Sequence, residues 1–303
     1  MGKFAECDRT GGPELQLIAL YDYVCQCYDA NPALYSDRRS NNYCPDFTDQ
    51  ELMTIYLFGL IEQRFTLSQT YKYISDHWAD WFPQLPSYQA VNNRLNAINC
   101  HFQPLIEGLV GQIQQLPALN DVRLTDSLPI ILSKRPGSAR IATTMADTGY
   151  CATKKLYYHG FKLHLIAVDR LHRMPLPERI QFTKASTNDL TALRAELPYL
   201  PACSLVGDKA YASAPLGKQL AADQQLHLCT PVKLKKGQKR LDAGDKGYST
   251  YVSRMRQPIE SLFNWFIERT QIQNGAKIRS EKGALLHCLG RIAAGLYIML
   301  FNP

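Results

Sequence analysis

Three carboxylates stand where chemistry could be gathered onto one site. Asp126 lies inside the apolar run VRLTDSLPIIL, Asp208 ends SLVGD, and Glu260 heads the apolar series Ile259, Leu262, Phe263, Phe266 and Ile267. A carboxylate inside a strand-like apolar run is costly to bury without a cation beside it. Asp208 follows Gly207, which lets the chain bend, and the carboxyl end of a strand is where open α/β sheets place ligand sites. Pro258 predicts a helix starting just before Glu260, because a missing N–H costs nothing in a first turn. Hard cations such as Mg²⁺ and Mn²⁺ prefer carboxylate oxygens, and two-metal phosphoryl transfer draws about three of them from separate elements. Singly, each has an ordinary alternative: strand-end cap for Asp126, turn residue for Asp208, helix-dipole partner for Glu260.

Other groups compete or assist. Asp147, which precedes a Gly-Tyr turn, ranks first among the rival carboxylates, ahead of Asp169, Asp189, Asp242 and Asp245; Asp189 reads as a helix cap. Lys154, Lys155, Lys162, Lys209, Lys233, Lys235, Lys236, Lys239, Arg240 and Arg256 read as phosphate contacts, with Lys162 and Arg256 nearest a reacting phosphate. The run from Lys233 to Arg240 is equally well a solvated face, though Tyr248 and Tyr251 follow it, and aromatics beside cations suit unpaired or distorted DNA. His159 and His164 read as satisfied strand residues rather than catalysts.

The elements that would position these groups divide the chain in two. Residues 1–118 read as an all-α domain, with apolar positions recurring at threes and fours from Leu15 to Cys25 and from Leu52 to Leu60. Thr48-Asp49-Gln50-Glu51 is a capping-box start. Helices over Leu67–Trp78 and Tyr88–Ile98 allow a helix-turn-helix, but the link between them is long and Arg94 is the second helix's lone strong phosphate ligand. A plain bundle or dimerisation module fits better. From Val122 the texture turns to β-like runs interrupted by helical DLTALRAEL and PLGKQLAADQQ, and two helices close the chain. Three strands, helix, strand, helix, short strand and closing helices predict α/β residues 119–303, in the order of a ribonuclease-H-like core with a mixed five-stranded sheet.

Charge follows the same division. Residues 1–118 hold 7 Lys or Arg against 13 Asp or Glu, a net of −6, and residues 119–303 hold 27 against 14, a net of +13. A polyanion is therefore expected on the second part. Nine scattered cysteines suit buried thiols in a reducing compartment. The start has no apolar leader, and Ile292–Phe301 is too short for a span of about 20 residues, so a cytoplasmic chain with a buried last helix is expected.

Five motifs occur in order: Thr125-Asp126-Ser127-Leu128-Pro129, Asp147-Thr148-Gly149-Tyr150-Cys151-Ala152-Thr153-Lys154-Lys155, Tyr158-His159-Gly160-Phe161-Lys162, Gly207-Asp208-Lys209-Ala210-Tyr211 and Pro258-Ile259-Glu260-Ser261-Leu262-Phe263. Together they resemble a bacterial insertion-sequence DDE transposase, and the likeness is nearest to insertion sequence family 982. The resemblance implies Asp126, Asp208 and Glu260 as a triad holding two Mg²⁺ (or Mn²⁺) ions. It further implies double-stranded DNA as partner, both terminal inverted repeats and target, a homodimer on that DNA, and no membrane. Arg256 stands four residues before Glu260 as the broader pattern asks, but Ser253 and Ile267 replace its Tyr and Lys. A nuclease that cuts without joining, and a transposase-derived DNA-binding protein that no longer cuts, are the alternatives.

Overall fold

The computed structural model describes residues 12–36, 45–116, 121–152, 154–234 and 237–301. In chain order the elements are α1 (Pro13–Ala30), α2 (Ala33–Ser36), α3 (Asp49–Ile61), α4 (Leu67–His77), α5 (Tyr88–Ala97), α6 (Phe102–Gln114), β1 (Val122–Ser133), β2 (Asp147–Cys151), β3 (Leu156–Arg170), β4 (Arg173–Lys184), α7 (Asp189–Glu196), β5 (Ser204–Val206), α8 (Ala214–Gln224), β6 (His227–Cys229), α9 (Ala243–Thr270) and α10 (Glu281–Phe301). They form two units. One takes the described residues up to Gln112, Glu268–Ile272 and those from Ile278 onward; the other takes the described residues of 113–267 and Gln273–Lys277.

The first unit is helical. Thr48 caps α3 as its sequence predicts: its hydroxyl accepts from the Glu51 N–H (3.1 Å), and the Glu51 carboxylate accepts from the Thr48 N–H (2.6 Å). Leu52 to Leu60 are all buried, as expected of a helix that is apolar on every side. Gly59 lets Thr70 of α4 approach, since a Cβ there would come within 2.3 Å of the Thr70 hydroxyl. Helix α10 is the one described helix long and apolar enough to cross a membrane, and 78% of its most apolar window is buried. Inside it Arg291 donates to the carbonyls of Thr270 (2.9 Å) and Phe65 (2.8 Å) and to Nδ1 of His287 (3.0 Å). His287 in turn meets the Ile272 carbonyl (2.8 Å). In α5, Arg94 turns onto the Phe47 carbonyl (2.7 Å) and the Asp49 carboxylate (2.5 Å).

The second unit is built on a mixed sheet of six strands, in the order β2-β3-β1-β5-β6 with β4 also on β3. The expected five are thus one short. The sixth is β2, whose Asp147-Thr148-Gly149-Tyr150 reads as a turn because five residues are too few to display a period. It pairs antiparallel with the first five residues of β3, and β4 pairs with Phe161–Arg170 further along the same edge. On its other edge β3 carries β1, antiparallel; β1, β5 and β6 are mutually parallel. Leu193, Leu197, Leu205, Tyr211, Leu216 and Leu220 share one core cluster, which seats α7 and α8 on this sheet.

A second correction concerns Pro258. Helix α9 begins at Ala243, so Pro258 lies in its interior, not in its first turn. Proline there removes one ladder hydrogen bond. The stripe that carries the helix through it starts earlier than Ile259, with Val252 1% exposed and Met255 partly buried, three and four residues apart.

Candidate active site

The positions of Asp126 and Asp208 follow from strand register. β1 and β5 pair in parallel as Val122 with Ser204, Arg123 with Leu205 and Leu124 with Val206, a constant offset of 82. Asp126 and Asp208 stand two residues beyond the last pair and keep that offset, at the ends of neighbouring strands spaced about 4.8 Å, and Asp208 is near enough to act on the Asp126 carboxyl. Glycine at position 207 lets β1 and the Tyr211 ring come close: a Cβ there would meet the Tyr211 ring at 2.9 Å and the Thr125 methyl at 3.1 Å. Beyond the turn, the Asp208 side chain accepts from the Ala210 N–H (2.7 Å), and Lys209 projects exposed.

Glu260 reaches this place through an intermediary. Arg256 Nη1 donates to Asp126 Oδ2 (2.6 Å) and Nη2 to Glu260 Oε1 (2.5 Å), so one guanidinium joins β1 to the carboxylate one helical turn further along α9. Glu260 remains half exposed at 53%, against 20% for Asp126. Burial pushes the Asp126 carboxyl up to about 6; its bond from the Ser127 N–H and Arg256 pull it down, while Asp208 and Asp189 push it further up. Asp126 thus lies in the field of two other carboxylates with one arginine to offset them.

Asp189 is the neighbour that the sequence does not advertise. Asn188 caps α7, its side chain accepting from the Leu190 N–H (2.9 Å), and leaves the Asp189 carboxylate for the sheet. There it accepts from the Ser127 hydroxyl (2.9 Å) and from Lys162 Nζ (3.1 Å), which also donates to the Thr187 carbonyl (2.9 Å). Lys162 is therefore engaged inside the protein. His164 meets the Thr183 hydroxyl (2.8 Å), with burial lowering it to about 4, and His159 meets the Ile141 carbonyl (2.8 Å). His159 is thus a satisfied strand residue, whereas His164 is only half satisfied: its buried Nδ1 has no hydrogen-bond partner among the described residues and stands 3.9 Å from Asp189 Oδ1. Asp147 accepts from the backbone N–H (2.9 Å) and the hydroxyl of Ser186, holding β2 to the end of β4. Asp242 caps α9 by accepting from the Asp245 N–H (2.7 Å).

The remaining cations are spread over the surface. Lys154 and Lys155 sit exposed at the turn between β2 and β3, and Lys154 donates to the Gln273 side chain. Lys233, Lys239 and Arg240 are exposed, with Lys233 on the Ala212 carbonyl (3.3 Å). Lys235 and Lys236 lie outside the described residues.

A family model described as a transposase DDE domain matches residues 118–280. The chain belongs to the transposase DDE domain family. Its members are enzymes of the nuclease and transposase kind, whose partner is DNA and whose carboxylates generally use divalent metals. No curated protein and no solved structure matches the chain. Among the described residues no three His, Cys, Asp or Glu side chains gather closely enough to hold a metal ion. The donor chemistry nevertheless fits a hard cation, since Asp126 is a carboxylate oxygen donor under the unfavourable negative field of Asp208 and Asp189. Arg256 is the cation that Asp126 and Glu260 share in this structure.

Proposed function

We propose that this DDE enzyme is the transposase of a bacterial insertion sequence similar to insertion sequence family 982, with Asp126, Asp208 and Glu260 as its metal-holding triad. The observation that carries this reading is the shared offset of 82 between the β1–β5 register and the Asp126–Asp208 spacing. The strand order supports a ribonuclease-H-like core: four strands joined by antiparallel pairing precede α7, and two strands parallel to β1 with α8 between them follow it. In this reading residues 119–303 are catalytic, and residues 1–118 bind DNA ends or dimerise. Arg94, turned onto Asp49, is engaged within the chain, which counts against DNA reading by α5.

Asp126 and Asp208 would hold two Mg²⁺ or Mn²⁺ ions jointly, with Glu260 completing the set. When bound, such ions activate a water and stabilise the leaving 3′-oxygen during in-line displacement at phosphorus. The residues supply the rest. Lys162 and Ser127 hold the Asp189 carboxylate in place beside Asp126. Arg256, once released from Asp126, has its fork of donors available for a phosphate. Lys154, Lys155, Lys209, Lys233, Lys235, Lys236, Lys239 and Arg240 neutralise the DNA backbone on the positively charged part of the chain. Hydrolysis frees a 3′-OH at the element end; that hydroxyl then replaces water as the nucleophile on a target phosphodiester, so the same carboxylates serve cutting and joining.

Asp208→Asn tests the assignment. It should lower Mn²⁺-dependent nicking of plasmid DNA by at least about 1,000-fold while leaving DNA binding within about twofold. Nicking near the wild-type rate sinks the triad. Nicking without joined products from a pre-cut 3′ end would leave a nuclease instead.

A further inference from the structure

The hairpin of β2 and β3 has two unlike faces. Gly149, Cys151 and Tyr158 are buried and Leu156 partly so; with Ile131 and Ala185, Cys151, Leu156 and Tyr158 form a small separate core. On the opposite face Tyr150 and Tyr157 are paired across the strands, 51% and 64% exposed, with ring centroids 4.9 Å apart and planes tilted by 51°. A strand pair with one packed face needs no second apolar face. Two large rings placed together in solvent, on a hairpin already anchored beneath, are therefore available to something outside the chain.

The surroundings indicate its chemistry. Lys154 and Lys155 stand at the turn beside the rings, both exposed. Lys155 is left-handed (φ 48°), and its N–H closes the turn on the Ala152 carbonyl (3.2 Å). Lys154 is tied to Gln273, and the neighbouring backbone is tied to β1: the Ile131 N–H donates to the Gln273 carbonyl (3.1 Å) and the Gly275 N–H to the Ile131 carbonyl (3.1 Å). The tip is thus fixed, cationic and aromatic. Along β3, Tyr157 lies eight residues before Leu165, the cross-strand partner of Asp126. An even number of residues returns a side chain to the same face of a sheet, and eight span roughly 26 Å at about 3.3 Å each. That distance corresponds to about eight base pairs of duplex at roughly 3.4 Å each.

We propose that Tyr150 and Tyr157 form a stacking platform for an unpaired base of the DNA, with Lys154 and Lys155 on the flanking phosphates. The proposal rests on the transposase reading above and adds to it a binding site away from the triad. Stacking of a base on an aromatic side chain is worth about 1–3 kcal/mol, or roughly 5- to 150-fold in affinity, and requires no particular base. A cross-strand tyrosine pair that serves only the hairpin would instead contribute to folding alone.

The test uses the full chain and two probes, a 30-base-pair duplex and the same duplex with a five-nucleotide single-stranded extension carrying 2-aminopurine. Wild type is expected to bind the extended probe more tightly and to quench its fluorescence. Tyr150→Ala and Tyr157→Ala should each weaken that binding at least about fivefold and lose the quench, with the plain duplex bound within twofold of wild type. Tyr150→Phe and Tyr157→Phe, which keep the cross-strand ring pair, should retain both signals and guard against a hairpin that has simply loosened. Alanine variants that melt like wild type and bind both probes as wild type does overturn the platform while leaving the transposase reading intact. Phenylalanine variants that lose the quench also overturn it. A wild-type chain that binds neither probe overturns both.

Discussion

Two arginines show how the helical unit and the sheet unit use the same side chain for opposite ends. Arg291 is buried against neutral acceptors, two carbonyls and a histidine nitrogen, all within the helical unit. Arg256 is partly buried against two carboxylates of the sheet unit. A cation among carbonyls adds donors to backbone acceptors, including that of Thr270 at the end of α9, where the helix dipole favours positive charge. A cation shared by two carboxylates occupies groups that could accept a different cation. The first arrangement stabilises a fold. In the proposed function, the second is where one cation gives way to another.

The largest expected effect lies in the helical unit. Arg291→Met removes the donor from three buried acceptors and should lower unfolding free energy by about 2–4 kcal/mol, read as a shift in the denaturant midpoint at constant slope. Arg256→Gln should cost no more than about 1 kcal/mol, since its partners reach solvent. Equal destabilisation by the two variants would break the contrast.

That contrast was only partly legible in the sequence. The Thr48–Glu51 box, the strand runs and the carboxylates could be read because each rests on residues a few positions apart. The spacing of 82 was visible as a number, but its meaning depends on β1 and β5 pairing in parallel, which no local pattern contains. β2 escaped because one hairpin face carries Gly149 and the other exposed tyrosines, so alternation of apolar and polar residues never appears. Pro258 suggested a helix start because its preference for the first turn is stronger than the faint stripe at Val252 and Met255. Asp189 looked like a cap because Asn188 and Asp189 are chemically interchangeable there; only the tertiary partners Ser127 and Lys162 tell them apart.

Titration distinguishes the units further, with opposite signs. Burial and Arg291 lower His287 from 6.5 to about 3. The unfolded chain takes up a proton that the fold refuses, so this stability is present above pH 6.5 and is lost as pH falls toward 3. Asp126 is raised from 3.8 to about 6, so its stability is full below pH 3.8 and is lost as pH rises through 6. His164, lowered to about 4, adds an acid loss in the sheet unit, and wild-type melting alone therefore mixes the signs. Variants separate them: Asp126→Asn should flatten the loss between pH 4 and 6, and His287→Gln should flatten the loss below 6.5. Unchanged pH slopes in both would remove the electrostatic half of the comparison.

A smaller effect tests the exchange itself. If Arg256 competes with an incoming cation for Asp126 and Glu260, Arg256→Gln should bind Mn²⁺ more tightly in the absence of DNA, by about fivefold for a competing interaction of roughly 1 kcal/mol. Electron paramagnetic resonance of free Mn²⁺ reads this without any turnover. Weaker Mn²⁺ binding by the variant would make Arg256 an organiser of the carboxylates, and the likeness to Arg291 would then be closer than the acceptors suggest.

The smallest effect separates cations already committed within the sheet unit from those held out to solvent. Lys162 is 16% exposed and shared between Asp189 and Thr187, whereas Lys239 is exposed. A lysine that neutralises a phosphate releases about one counterion, so its removal lowers the slope of log affinity against log salt by about 1. Lys239→Gln should show that change together with a two- to threefold loss of affinity at about 0.15 M salt. Lys162→Gln should leave the slope unaltered, because its charge is spent on Asp189 before DNA arrives. A reduced slope for Lys162→Gln would mean that DNA draws Lys162 off Asp189, adding an unpaired carboxylate beside Asp126 at the moment of binding.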